Sequence, residues 1–520
     1  MVKRLVLVVL LLWSLQVIVF GAGYGISVAA SPSIIRVPYD CQTIQEAVDA
    51  ANPEDIVLVS AGTYYEYVLV NKTISLVGES RETTIIEGGY VYVTADNVKI
   101  GEFSIQNGRG IFLNGSNGNI IHANRLTSNF GFSAVSLRGS SGNIISNNEI
   151  LNNGGGGPGL AWGDGIGSEY SDSNLIVGNF ISNNVAFGIT LISSDGNIVA
   201  NNTLTENGIA GLDLVSSSGN IISDNVVASN GAGGVGIRYS TKNTIGRNQI
   251  FNNEGNGIGV TESKMNVIEE NIIAENMIGI GISHFSANNT FVGNTLSKNL
   301  NGIKIHLSNG SIIHHNNFIN NTKNAPEDVY PNVNTWDDDY PSGGNYWSDY
   351  DGTDFNNGPH QNLTGSDGIG DTLHTLDPRN EDRFPFMGPI SFFEAGAWNG
   401  TSCEVNVVGN STVSDFRLNR IETVVSFTVA GFDSTVGFCR VTIPNVIVQD
   451  LWQNNYNVLV DGKQPLTINN WTDSTYTYLY FTYQHSKHEV VIIPEFPATV
   501  IPPLLMITLC AVILTKKRKS

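Results

Sequence analysis

The stretch NIVANNTLTENGIAGLDLVSSSGNIISDNVVASN, residues 197–230, decides the fold of this 520-residue chain. Asn recurs in it every five residues, and the set of three recurs 23 residues later. The two sets are Asn197, Asn202 and Asn207, then Asn220, Asn225 and Asn230. A fixed period of this length indicates a solenoid, in which each repeat contacts only its neighbours.

The same spacing extends along the middle of the chain. Its first complete set is Asn119, Asn124 and Asn129. We assign one degenerate set to each end, comprising Asn97, Glu102 and Asn107, then Ser311, Asn316 and Asn321. Apolar and polar residues alternate with period two between the Asn positions, which predicts short strands rather than helices.

These features predict an all-β protein built on a right-handed parallel β-helix of about 10–13 coils. Coils about 4.8 Å apart would pair as parallel strands, and the aligned Asn side chains would hydrogen-bond from coil to coil. Asn and Gly also tolerate the left-handed backbone of sharp corners. We assign the repeats to residues 97–335.

The segment before the repeats carries a helix signal. Thr43-Ile44-Gln45-Glu46 is a capping box, and apolar residues that follow it line one helix face. We predict that residues 31–96 form a helical cap and the first coils. Such a cap would cover the unpaired edges of the first coil.

These motifs resemble a known group of proteins. The sequences TIQEAV (43–48), AGTY (61–64) and ISLVGE (74–79), followed by the Asn repeats, look like NosD-like or CASH (carbohydrate-binding and sugar-hydrolysis) β-helix proteins of archaeal cell-surface type. The resemblance covers about residues 40–390 and implies the parallel β-helix fold. It leaves function open, since the group includes copper-site maturation proteins, polysaccharide lyases and hydrolases, epimerases and adhesins.

Both chain ends indicate export. Residues 1–30 have the charged, apolar and small-residue order of a signal peptide, with an uncleaved anchor as the alternative. Residues 498–515 carry no charge and precede a basic tail, which predicts a C-terminal transmembrane helix. Pro494-Glu495-Phe496-Pro497 before it resembles an archaeal PEF-type sorting signal, so residues 494–520 are either such a signal, processed by an archaeosortase-like enzyme, or a plain anchor. We predict a cell-surface protein tethered to the membrane.

Composition excludes several classes of protein. The chain is 41% apolar, which is too high for a disordered protein, and its 4 Cys are too few for a disulfide-dense scaffold. Its net charge of −20 disfavours nucleic acid as a partner. Ten Asn-x-Ser/Thr sequons lie between the two ends as candidate glycan sites.

Residues 336–390 concentrate acids and form the predicted C-terminal cap. Carboxylates alternating with Gly suit Ca²⁺, and the candidate ligands are Asp349, Asp351, Asp354, Asp367 and Asp371. A solvated acidic cap is the alternative. Copper is disfavoured because Met and Cys are scattered, and because His314-His315 and the pair His485 and His488 are typical of surface histidines.

Polar residues on the outer strand positions are candidates for carbohydrate chemistry. Aligned on consecutive coils, they would line one groove, with possible catalytic roles for Asp213, Arg238, Glu262, His284 and His306. The long insertion 154–173 and one outer Tyr supply the candidate carbohydrate-binding residues Trp162, Asp164, Glu169, Tyr170 and Tyr239. Any soluble β-helix also exposes polar residues, and a glycine-rich insertion can equally be a flexible loop.

Residues 391–493 lack the repeat and alternate as strands, which predicts a small β-sandwich. We expect Cys403 and Cys439 to form a disulfide within it. The function predicted from these features is binding of carbohydrate or another surface polymer without catalysis, as an adhesin or envelope component. The alternatives are a polysaccharide lyase or glycoside hydrolase using the outer groove, and a copper-site accessory protein.

Overall fold

A computed structural model describes residues 32–154, 163–326 and 332–495. It confirms an all-β right-handed parallel β-helix, with about 12 turns. Three parallel sheets run along the helix, two of 13 strands and one of 11. We call them sheets A, B and C.

Each complete turn contributes one strand to each sheet, and the strands of a sheet pair with those of the turns above and below. Sheet A contains Ile34–Val37, Ile56–Val59, Ser75–Gly78, Lys99–Gly101, Ile120–His122, Ile144–Ser146, Leu175–Val177, Ile198–Ala200, Ile221–Ser223, Thr244–Gly246, Val267–Glu269, Thr290–Val292 and Ile312–His314. Sheet B contains Gly62–Tyr64, Thr84–Glu87, Ser104–Gln106, Arg125–Thr127, Glu149–Leu151, Phe180–Ser182, Thr203–Thr205, Val226–Ala228, Gln249–Phe251, Ile272–Ala274, Thr295–Ser297, Asn317–Ile319 and Tyr346–Trp347. Sheet C contains Tyr67–Val70, Tyr90–Val93, Gly110–Asn114, Ser133–Arg138, Asp164–Glu169, Ile189–Ile192, Ala210–Val215, Gly233–Arg238, Asn256–Thr261, Ile278–Ser283 and Asn301–Ile305.

The inward positions of all three sheets form one continuous apolar core. Ile121, Leu126 and Val135 are fully buried representatives from the three sheets. A single repeat cannot enclose such side chains, so the core exists only because the turns stack.

The predicted Asn ladders are present and buried. Asn202 donates from its backbone N to Asn225 Oδ1 at 2.9 Å and from Nδ2 to the same oxygen at 3.1 Å. Asn225 repeats both bonds to Asn248, at 3.0 and 2.9 Å. The ladder through these residues ends where Asn345 N donates to the buried carboxylate of Asp382 at 2.7 Å.

The corners have a fixed offset from the ladders, and this offset corrects the predicted first set. The left-handed corner residue is the one before each ladder Asn, such as Asn201 with a φ of 55°, because the ladder residue itself must direct its amide along the stack. The same offset applies to the degenerate first set: the backbone N–H groups of Val98, Phe103 and Gly108 donate to the first full set, whereas Asn97, Glu102 and Asn107 are corner residues.

A serine ladder accompanies the Asn ladders and was not predicted. From Ser116 to Ser263, the backbone N–H of each serine donates to the Ser Oγ of the next turn, as from Ser194 to Ser217 and from Ser217 to Ser240, both at 3.0 Å. The serines of this ladder are buried: Ser116, Ser140, Ser171, Ser194, Ser217, Ser240, Ser263 and Ser286.

The N-terminal cap is the helix Ile44–Ala50. Its predicted capping box is formed, since Glu46 N donates to Thr43 Oγ1 at 3.1 Å and Thr43 N donates to Glu46 Oε2 at 3.2 Å. The helix buries Ile44, Ala47 and Val48 against the first strands.

After the β-helix come two short hairpins, Asn356–Asn357 with Leu363–Thr364 and His374–Asp377 with Asn380–Asp382. Two small antiparallel sheets follow and share a core, as predicted for this part of the chain. One contains Ile390–Trp398, Thr401–Gly409, Val436–Pro444, Tyr476–Gln484 and Thr467–Thr472. The other contains Thr412–Asn419, Val424–Ala430, Lys487–Pro494 and Tyr456–Val460, and the unpredicted helix Asn445–Trp452 packs beside them.

The predicted Cys403–Cys439 disulfide is wrong. Both thiols are free, and Gly409 rather than Cys403 lies opposite Cys439 on the neighbouring strand. Six residues of extended strand separate Cys403 from that position, or about 20 Å. A disulfide needs Cα atoms within about 7 Å.

The predicted signal peptide and the apolar stretch 498–515 lie outside the described residues. Within the described ranges, no helix has the length and apolar character needed to cross a membrane.

Candidate functional site

Strands of sheet C carry four of the candidates singled out from the sequence, namely Asp164, Glu169, Asp213 and Arg238. Strand pairing aligns one outward position of successive turns in a row, which we call the middle row. It runs Tyr92, Phe112, Ser136, Gly167, Thr190, Asp213, Gly236, Gly259, Gly281 and Lys304. Four positions of this row are glycines, and neighbouring side chains lie over them: Ser133 over Gly167, Asp213 over Gly236, and Asn256 over Gly259 and Gly281.

Asp213 is paired rather than free. Only 4% of it is exposed, and its carboxylate accepts from Arg238 Nε at 3.1 Å and from a terminal nitrogen of the same guanidinium. Burial raises the pKa of Asp213, and the hydrogen bond from Arg238 opposes that rise. Asp213 and Arg238 are therefore adjacent on the outer face of sheet C, and their charges satisfy each other.

Asp164 lies beside this pair, two turns earlier. Its Oδ2 accepts from Thr190 Oγ1 at 2.8 Å and its Oδ1 accepts from Phe187 N at 3.2 Å. Burial raises the pKa of Asp164 to about 6, and the nearby Asp213 carboxylate adds to the rise. We call Asp164, Thr190, Asp213 and Arg238 the polar cluster.

The remaining catalytic candidates lie elsewhere. Glu262 and His284 occupy left-handed corners, and the His284 and His306 rings are 6.3 Å apart. His306 also lies far from Asp213. Lys304 comes two residues before His306, and it is four turns from Asp213 along the middle row, or about 19 Å. The five candidates therefore do not meet at one reaction centre.

The carbohydrate-binding candidates are also dispersed. Tyr170 and Tyr239 are exposed corner residues three turns apart, or about 14 Å. Glu169 lies 3.7 Å from Arg138 in an exposed ion pair. Trp162 lies outside the described residues.

A row of aromatic side chains on the first turns of sheet C was missed by the sequence reasoning. The rings of Tyr67 and Tyr90 are 5.1 Å apart, those of Tyr90 and Tyr92 6.4 Å, and those of Tyr92 and Phe112 5.3 Å. Tyr67 is 67% exposed, and Asn114 Nδ2 donates to the Tyr92 hydroxyl at 2.8 Å. We call these four rings the aromatic row; its signal was the alternating sequence Tyr90-Val91-Tyr92-Val93.

The predicted calcium ligands hold loops together. Asp354 accepts from the backbone of Asp367 and Gly368, at 3.0 and 2.8 Å, and burial raises its pKa to about 7. Asp371 accepts from the backbone of Phe355 and Asn356, both at 2.9 Å. Asp349 accepts a hydrogen bond from Asn324. Asp351 is exposed. Calcium binding by these carboxylates stays a prediction.

The structure groups a different set of metal-ligand side chains. Among the described residues, His314, His315 and Asp338 bring one ligand atom each within 4.8 Å of one another. Successive side chains on a strand point to opposite faces, but His315 has a φ of 56° and turns the corner, so the two rings lie 4.6 Å apart. Burial lowers the pKa of His315 to about 3, which leaves its imidazole neutral.

Comparisons with known proteins agree with this fold. The family model described as "Periplasmic copper-binding protein (NosD)" matches residues 48–211, 161–306 and 208–352, which together span more than half of the chain. That description is consistent with export of the β-helix. No curated protein sequence matches this chain.

The solved structures that resemble this chain come from different kinds of protein. The A-module of mannuronan C-5 epimerase AlgE6 from Azotobacter vinelandii has a TM-score of 0.50 at 16% identity, covering 56% of this chain and 92% of that module. An alginate lyase from Paenibacillus sp. has a TM-score of 0.36 at 19% identity, covering 60% of this chain and 97% of the lyase. The Dettilon tailspike protein has a TM-score of 0.43 at 12% identity, covering 88% of this chain and 94% of the tailspike. At 16% identity, the similarity to the epimerase module shows the fold alone.

Proposed function

This chain belongs to the NosD family of β-helix proteins, and on that premise we propose that it binds an extracellular polysaccharide or similar surface polymer without transforming it. The binding surface is the outer face of sheet C. The aromatic row is the observation that carries the proposal.

The aromatic row suits a sugar polymer because flat rings can pack against the apolar faces of pyranose rings while their edges stay hydrated. Tyr67 is largely exposed, and its neighbours in the row are half-buried and held by one another. Tyr hydroxyls add hydrogen-bonding groups next to each ring face. A polymer lying along the β-helix axis would pass from this row along the middle row toward Asp213.

Binding is preferred to catalysis because the polar candidates are paired or far apart. Asp213 is neutralised by Arg238 in a bidentate contact. A hydrolase needs two carboxyl groups about 5–9.5 Å apart with access to substrate, and the His candidates lie several turns away.

One observation favours an enzymatic alternative, a polysaccharide lyase, hydrolase or epimerase acting at the polar cluster. The pKa of Asp164 is raised by burial to about 6, which places its proton exchange near neutral pH. Product release by the wild-type protein, lost in Asp164→Asn, would support this alternative over simple binding.

The tether proposed for the protein is its C-terminal segment 494–520, held in the membrane or replaced by a lipid during sorting. The uncharged stretch followed by basic residues supports it. Fractionation of cells that express the full chain, with and without residues 494–520, tests this: the truncated form should be released.

The binding experiment measures retention of the full-length protein on a panel of immobilised polysaccharides, with release of products followed in parallel. The double variant Tyr67→Ala/Tyr92→Ala should bind at least about tenfold more weakly, equivalent to about 1.4 kcal/mol. Phe432→Ala is the matched control, because this ring is 89% exposed in the C-terminal sheets. Equal binding by wild type and the double variant would contradict the proposed surface.

A further inference from the structure

We infer that His314, His315 and Asp338 form a binding site for a divalent transition-metal ion of the Cu²⁺ and Zn²⁺ class. The site lies at the C-terminal end of the β-helix, where the last strand of sheet A, Ile312–His314, turns toward sheet B. It is separate from the proposed polymer-binding face and does not depend on it.

The first argument is an unpaired nitrogen. His314 Nδ1 is buried and has no hydrogen-bond partner among the described residues. Buried polar atoms in proteins nearly always have a partner. An orphan ring nitrogen next to a second imidazole and a carboxylate is therefore best explained by a ligand that the three side chains share.

The second argument is the orientation of His315. Its Nε2 lies 3.2 Å from the carbonyl oxygen of Ser342, so that nitrogen carries the hydrogen and donates. Nδ1 then keeps the lone pair that a metal ion needs. Stacking of the ring on Phe386, with centroids 5.5 Å apart, holds this orientation. Metal-binding histidines are typically fixed by such a bond from their other nitrogen.

The third argument is that three consecutive aspartates have different partners. Asp337 and Asp339 are both paired with Arg383, with nitrogen–oxygen distances of 2.5 Å. Asp338 is exposed and accepts from Ser342 Oγ at 2.7 Å, an arrangement that orients the carboxylate and leaves room for a further ligand. The exposed Asp338 also gives an ion a route from solvent.

The donor set indicates the class of ion. Two imidazoles and one carboxylate suit Cu²⁺ and Zn²⁺, whereas Ca²⁺ prefers oxygen ligands alone and Cu⁺ prefers sulfur. The three described Cys residues are no part of this group. The copper named in the family description is therefore compatible with these residues in its divalent form.

The test titrates the purified full-length protein with Cu²⁺ and, separately, with Zn²⁺ in a buffer that does not coordinate metals. We expect one tightly bound ion per chain, and electron paramagnetic resonance of the Cu²⁺ form should show coupling to two imidazole nitrogens. His314→Ala and Asp338→Asn should each weaken binding at least tenfold. Because Asp338 is exposed, its variant keeps the test decisive if His314→Ala fails to fold.

The matched control is the double variant His284→Ala/His306→Ala, which removes the other neighbouring histidine pair. It should keep the wild-type affinity and spectrum. The inference is overturned if the wild type binds no ion, if the spectrum lacks imidazole nitrogens, if Asp338→Asn binds as tightly as the wild type, or if only the control variant loses binding.

Discussion

Single residues in this protein divide between directing hydrogen bonds along the stack and turning the chain at corners. Asn202 and Asn201 illustrate the two roles in adjacent positions. Asn202 is 1% exposed, donates to Asn225 and accepts from Asn179, whereas Asn201 is exposed and left-handed. The residue type is the same, so position relative to the corner decides the role.

Asn202→Ala should lower the free energy of unfolding by about 3 kcal/mol, because it leaves buried donors of Asn179 and the carbonyl of Ile176 without partners. Asn201→Gly is the control and should change stability little, since Gly accepts the left-handed backbone. Thermal and urea unfolding measure both. Equal loss in the two variants would contradict the division of roles.

Asp164 makes stability depend on pH. Its folded-state pKa of about 6 lies above the ordinary Asp value of 3.8, so the folded protein holds the proton more tightly than the unfolded chain does. This contribution is complete below about pH 4 and is lost as the pH rises through 6.

Asp164→Asn should remove this dependence while keeping a bond from Phe187 N to the side-chain oxygen. The melting temperature of the variant should therefore rise relative to that of the wild type as the pH increases from 4.5 to 7.5. Melting curves across that range provide the measurement. A constant difference between the two proteins at every pH would contradict the raised pKa.

At the scale of elements, the N-terminal helix protects the first turn of the β-helix. It packs against strands Ile34–Val37, Ile56–Val59 and Tyr67–Val70, which belong to sheets A and C. Lys72 also donates to the carbonyl oxygens at the helix end, at 2.6 Å for Asp49. The helix is short, so its capping box has a large share in its stability.

Thr43→Ala should cost about 1 kcal/mol of stability by removing the bond to Glu46 N. Gln42→Ala, at an exposed neighbouring position, should stay within about 0.5 kcal/mol of the wild type. Light scattering during heating should show earlier aggregation of Thr43→Ala, because fraying of the helix exposes strand edges.

At the scale of the whole molecule, Arg440 joins the C-terminal sheets to the acidic segment. This arginine is fully buried, donates to the carbonyl oxygen of Asp367 at 2.6 Å and also to that of Pro341. Its guanidinium carbon lies 5.0 Å from the centre of the Tyr478 ring. One side chain thus connects its own strand to carbonyl groups that lie 73 and 99 residues earlier in the chain.

Arg440→Leu should uncouple these parts, because the carbonyl groups of Asp367 and Pro341 lose their donor. We expect two separate unfolding transitions in calorimetry where the wild type shows more closely coupled ones, together with faster proteolysis near residues 337–371. Arg417→Leu, an exposed position in the same module, should leave the calorimetric profile unchanged. Identical profiles for both variants would show that Arg440 does not couple the two parts.

The sequence by itself determined the β-helix. The Asn spacing sets the length of each turn, and the alternation between Asn positions sets which side chains face the core. Both signals are local and repeat many times, so one irregular turn does not obscure them. The capping box and the antiparallel strands of residues 391–493 are local signals of the same kind.

Only the tertiary structure decided which outer side chains meet. Tyr67, Tyr90 and Phe112 come from early turns where the regular 23-residue spacing has not begun, so no repeat alignment places them together. The Cys403–Cys439 prediction failed because strand register in the C-terminal sheets carries no repeat signal. His314 and His315 converge because a left-handed corner rotates one of two adjacent side chains, and that rotation depends on the position of the corner in the folded stack.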